Sequence, residues 1–196
     1  MSRKDQHTQG LEFTWLKPEK LTETRYALKH KKLKQFLEMT GNVYPDLVKV
    51  FYTNLTLHGK NLVSYVKGIK IKISNDVWNS VPGIKYFGLE VGKGNTNEIQ
   101  EFNKIQYYRS CVRNPTQSVN RFHAGNLNLT PRLIVYIIAW QLIPRGTNHI
   151  VLHDEDLILL YCIMNLIKVN WVYIIMEHML KSKRLDDYRF RYAILV

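Results

Sequence analysis

The sequence predicts a mainly α fold: a compact helical domain with one small β-hairpin. Three observations predict it. The stretch Leu127–Leu180 is dominated by apolar runs framed by helix start and stop residues. One short segment, Ile69-Lys70-Ile71-Lys72-Ile73, alternates strictly, which is strand periodicity. The composition, 45% hydrophobic and 22% charged over 196 residues, is that of a globular chain long enough for one real core.

The elements follow in order. Residues 1–19 are polar and read as a flexible basic tail. Residues 20–196 read as a single domain. Thr22 to Met39 predicts a helix with Tyr26, Leu33, Phe36 and Leu37 on one face and lysines around the rest, ended by Gly41 as a left-handed cap. Pro45-Asp46 starts a second helix, Pro suiting its first position and Asp its positive dipole end, and His58-Gly59 closes it. Leu62–Val66 and Ile69–Ile73 flank Lys67-Gly68, which predicts a tight-turn hairpin. Its isoleucines share one face, to rest on helices, and Lys70 and Lys72 share the other. Ser74-Asn75-Asp76 caps a short helix through Trp78, and Val81–Asn97 reads as loop.

Glu98–Arg113 predicts a helix with Phe102, Ile105, Tyr108 and Val112 inward, broken at Asn114-Pro115. Thr130-Pro131 is a hydroxyl cap followed by Pro at the first position, and Pro144 with Gly146 ends the apolar helix that follows. Asp154-Glu155-Asp156 enriches the next first turn with acid. A last helix runs from about Asn170 to Lys183. The chain closes on Ala193-Ile194-Leu195-Val196, and such an apolar end leads us to expect a parent reading frame that continues.

Charge is the unusual property. A net charge of +12 and a pI near 9.7 favour polyanions, nucleic acid before anionic membrane; the plain alternative is a basic surface that keeps the chain soluble. Leu133–Ile143 is too short to span a membrane, and Asn165, Lys168, Asn170, Glu177 and His178 interrupt Leu157–Leu180. No apolar signal segment follows the N-terminus, so an intracellular protein of cytoplasm or nucleus is expected. Cys111 and Cys162 read as buried free thiols.

The candidate nucleic-acid-binding residues are Arg25, Lys29, Lys31, Lys32 and Lys34 on the first basic helix, extended by Lys70 and Lys72 with Lys67 on the hairpin. Each neutralised phosphate releases counterions without reading sequence. The competing explanation for the hairpin lysines is protection of an edge strand. Lys181, Lys183 and Arg184, continued by Arg189 and Arg191, equally suit the negative end of a helix dipole. His123, His149, His153 and His178 have no nucleophile at a telling spacing. Tyr107, Tyr108, Trp140, Tyr161, Trp171 and Tyr173 could stack on bases, but their apolar neighbours argue for core packing. Neither a zinc knuckle nor a convergent carboxylate site is legible. The expectation is therefore no catalytic residue, no metal, no cofactor and no small-molecule substrate.

The order of landmarks carries a resemblance. A Phe51–Leu55 helix precedes a Tyr65–Ile71 hairpin and an Ile73–Trp78 helix start; Asn128–Arg132, Trp140–Gly146 and Asp156–Met164 follow. Over roughly residues 26 to 196 this order resembles the plant transposon protein domain family, and through it the gag-like part of Athila-type long-terminal-repeat retrotransposon polyproteins. The resemblance implies a mobile-element-derived plant protein, and the leading expectation is a non-enzymatic, gag-like one that self-associates into a homo-oligomer and holds RNA or DNA electrostatically without sequence preference. It supplies no catalytic residues. A domesticated DNA-binding regulator, or a folded remnant without function, are the other expectations.

Overall fold

The computed structural model describes residues 33–91, 99, 102–145, 148–183, 192 and 193. The element order is α1 (Leu33–Leu37), α2 (Pro45–Thr53), β1 (Thr56–His58), β2 (Asn61–Val66), β3 (Ile69–Ile73), α3 (Asn75–Ser80), α4 (Lys104–Cys111), α5 (Leu129–Ile137), α6 (Asp154–Met164) and α7 (Trp171–Ser182). Mainly α with a small sheet is what the sequence predicts. No described helix is long and apolar enough to cross a membrane.

The hairpin is part of a larger unit. β1, β2 and β3 form an antiparallel sheet in that order, with β2 central. Lys67 and Gly68 both take positive φ, 50° and 82°, as a type I′ turn requires. The expected single hairpin is thus corrected to three strands. The second helix does not run to His58-Gly59: it stops at Thr53, and Thr56–His58 turns back to pair with Asn61–Val63. Three residues make a strand here only because a ready partner lies across the Gly59-Lys60 turn. Gly41 takes no left-handed φ, because α1 has already ended at Leu37, too far upstream for a glycine cap at 41.

α2 covers the inner face of the sheet. Ser64 Oγ donates to Phe51 O at 2.7 Å, and Leu62, Ser64 and Val66 are buried on that side. The isoleucine face is buried only in part. Ile73 is 5% exposed, while Ile69 is 69% exposed at the turn, where the hairpin outruns the helix beneath it.

α5, α6 and α7 bring the greasy C-terminal segments together. Leu127, Ile134, Ile138, Leu142, Leu157, Leu160, Val172 and Ile175 are fully enclosed in one cluster that also takes in Phe51 and Leu62. α5 begins at Leu129, so Thr130 lies inside the first turn and is not the cap. The side chain of the preceding Asn128 is committed elsewhere, its Nδ2 donating to Val112 O at 3.4 Å. Pro131 then sits in the first turn, where its missing N–H costs nothing. α5 ends in a π turn, Ile138–Leu142, closed by Ile143 N donating to Ile138 O at 2.7 Å. A π turn advances less per residue than an α turn, so the apolar run drifts out of phase. Trp140, expected in the core, is 57% exposed and stacks on His149 at 3.7 Å.

α6 starts where the acids predict. Asp156 Oδ2 accepts from His153 N at 2.7 Å and pairs with Arg145 Nη2 at 2.8 Å. α7 is capped by Asn170, whose Oδ1 accepts from Tyr173 N at 3.1 Å. The polar break between the two greasy helices is a real interruption, with Leu166 at positive φ between them. α4 is shorter than its apolar pattern suggests. Its buried face is Tyr108 and Cys111 with half-buried Tyr107; Ile105 lies about a third of a turn away and is 47% exposed, which corrects its inward placement.

Candidate nucleic-acid interface

Strand alternation fixes what the outer face of the sheet carries. Residues paired across an antiparallel ladder share a face. Tyr65 pairs with Lys70 and Val63 with Lys72 on β3, while Thr56 pairs with Val63 and His58 with Asn61 on β1. The face opposite α2 therefore presents Tyr65, Lys70, Lys72, Thr56 and His58, all exposed, around a buried Val63. Lys67 is exposed in the turn at its end.

The charge on this face is unbalanced. Residues 47–75 contain five lysines and no Asp or Glu. Ion pairs among the described residues are Lys34–Glu38, Lys104–Asp154, Arg145–Asp156 and Lys181–Glu155. None reaches Lys67, Lys70 or Lys72. Lys60, in the other turn, lies 5.8 Å from the centre of the Tyr86 ring. Uncompensated lysines on one sheet face concentrate positive potential there.

Of the sequence candidates, Lys70 and Lys72 come together on this surface. Lys34 is exposed on α1 but lies 3.6 Å from Glu38, so its charge is partly answered. Arg25, Lys29, Lys31 and Lys32 lie outside the described residues, as do Arg184, Arg189 and Arg191. Lys181 pairs with Glu155 at 3.1 Å, and Lys183 donates to Leu55 O at 2.8 Å, tying the end of α7 to the entry of β1. Both lysines are thus engaged within the fold. Tyr65 is the residue that sequence reasoning missed. Its signal is the hairpin register, which sets it directly opposite Lys70.

A cleft of about 810 Å³ opens between β1, α6 and α7, lined by Leu57, Ile143, Leu159, Tyr173, Glu177 and Lys181 among others. Its polar groups are mixed in sign, and burial pushes the Tyr173 hydroxyl pKa up. Beside it His178, 8% exposed, has its Nδ1 at 3.1 Å from the Tyr192 hydroxyl, which donates to Leu142 O at 2.7 Å. This is a satisfied core histidine. Between α4 and α6, Tyr107 packs edge-on to Tyr161 at 5.0 Å. Burial raises the Tyr107 hydroxyl strongly and the Cys111 thiol as well, the opposite of what activates a nucleophile. Cys111 and Cys162 are buried thiols outside any disulfide, as expected. Among the described residues no three His, Cys, Asp or Glu side chains group as metal ligands.

A family described as "Putative plant retrotransposon-related domain" matches residues 29–194. The chain belongs to this family. The match spans most of the sequence and includes the sheet, the π turn and both C-terminal helices. A retrotransposon-related domain marks the protein as derived from a mobile element. No curated protein and no solved structure matches the chain.

Proposed function

We propose that this retrotransposon-related chain is a non-enzymatic, gag-like protein that holds RNA or DNA electrostatically and self-associates. The observation that carries the reading is the outer sheet face, where Lys70 and Lys72 are exposed and belong to none of the ion pairs among the described residues. Edge protection explains a lysine on β3 alone. It does not explain why the whole stretch 47–75 lacks an acid, since alternating signs would protect an edge equally well. Arg25, Lys29, Lys31, Lys32 and Lys34 would add to the same polyanion affinity.

The test is salt. Affinity for a labelled oligonucleotide, measured by fluorescence anisotropy across a series of salt concentrations, should fall linearly in the logarithm. The slope should be about −0.7 to −0.9 per phosphate neutralised. RNA and DNA of unrelated sequence should bind alike. A flat salt response contradicts the reading. Binding confined to one DNA sequence would favour a domesticated regulator instead.

A further inference from the structure

The outer sheet face holds one group that electrostatics does not need. Tyr65 is 51% exposed on the central strand, and its ring has no aromatic partner among the described residues. Lys70 lies directly across the ladder from it and Lys72 on the diagonal, at separations of about 5 and about 7 Å for such pairs. Lys67 stands at the turn two residues beyond. We infer that this face is a stacking platform for single-stranded nucleic acid: Tyr65 receives a base, and Lys67, Lys70 and Lys72 take the neighbouring phosphates.

The chemistry favours one occupant. An aromatic face among cations with no acid attracts a ligand that is anionic along a chain and flat beside it, and a single strand is both. In a duplex the base faces are covered by their neighbours, so a tyrosine standing on a sheet can reach only ends or unpaired bases. Stacking uses the π-face that every base has, so the platform does not depend on base identity. Tyr65 is held in place from below, where its carbonyl accepts from Asn54 Nδ2 at 2.7 Å. That bond belongs to the backbone and survives loss of the ring. The inference rests on the polyanion reading above and adds the strand preference.

The experiment compares the full chain with its Tyr65→Ala, Tyr65→Phe and Lys70→Gln/Lys72→Gln variants. Each is titrated against labelled oligothymidylate and against a duplex of equal phosphate number, over a range of salt. The unaltered chain should prefer the single strand. Tyr65→Ala should weaken oligothymidylate binding by about tenfold and leave duplex binding and the salt slope unchanged. Tyr65→Phe should keep single-strand affinity, which also controls for folding. Equal loss on both ligands with Tyr65→Ala, or no loss on either, overturns the platform. In that case, if Lys70→Gln/Lys72→Gln still lowers both affinities and flattens both slopes, the polyanion reading survives alone. A chain that binds neither ligand overturns both.

Discussion

The sheet and the C-terminal helices treat charge in opposite ways. Around the helices, three cations are answered by acids from other elements. Lys104 meets Asp154 at 2.8 Å, Lys181 meets Glu155 at 3.1 Å, and Arg145 meets Asp156 at 2.8 Å. On the sheet, Lys67, Lys70 and Lys72 are exposed, and no Asp or Glu occurs between residues 47 and 75. The described cations therefore stand in two kinds of surroundings, paired around the helices at these three positions and unpaired on the sheet at the other three. One region spends its charges on cohesion, and the other leaves them available.

That contrast can be broken from the helical side first. Asp156→Ala should have the largest effect. It leaves the Arg145 guanidinium, whose side chain is 13% exposed, without its carboxylate, and removes the acceptor for His153 N. A loss of about 3–5 kcal/mol is expected in urea unfolding, the range for stranding one member of a buried pair. Little change would show that burial of Asp156 already offsets the pair, since desolvation is the larger influence on its carboxyl and raises its pKa.

A smaller loss tests how the loop after α3 is pinned to the helices. Gly88 has φ +116°, and a Cβ there would lie 2.7 Å from the Lys168 carbonyl oxygen. Leu89 N donates to that same oxygen at 2.9 Å. Gly88→Ala should therefore cost about 1–3 kcal/mol, with faster hydrogen exchange at the Leu89 amide as its first sign. Neutral stability in this variant would mean that the loop can be displaced without disturbing the helices.

Much of this division was legible in the residues. Asp154-Glu155-Asp156 and Asn170 place the starts of α6 and α7 because acids and side-chain acceptors satisfy first-turn N–H groups locally. The Lys67-Gly68 turn and the isoleucine alternation place β2 and β3 for the same local reason. β1 was not legible. Thr56-Leu57-His58 has no strand pattern of its own and forms by pairing with Asn61–Val63, a tertiary effect. Trp140 looked like core because its neighbours are apolar, and a widened turn that no residue announces carries it outward. On the site, alternation alone exposes Lys70 and Lys72, whereas Tyr65 joins them only once the cross-strand register is known. Lys181 and Lys183 look like the same kind of basic cluster in sequence; their partners Glu155 and Leu55 are distant in the chain.

The most direct test of the central claim is a matched removal of charge. Lys67→Gln/Lys70→Gln/Lys72→Gln is set beside Arg109→Gln/Arg121→Gln/Lys168→Gln, whose original side chains are exposed elsewhere. Both triple variants should keep their stability to within about 0.5 kcal/mol per site, as surface changes do. Affinity for oligothymidylate at low salt should then separate them, falling with a flatter salt slope only when the sheet lysines are removed. Equal losses in the two variants would contradict the account, because the positive charge would then act as an even coat and the sheet would hold no special place.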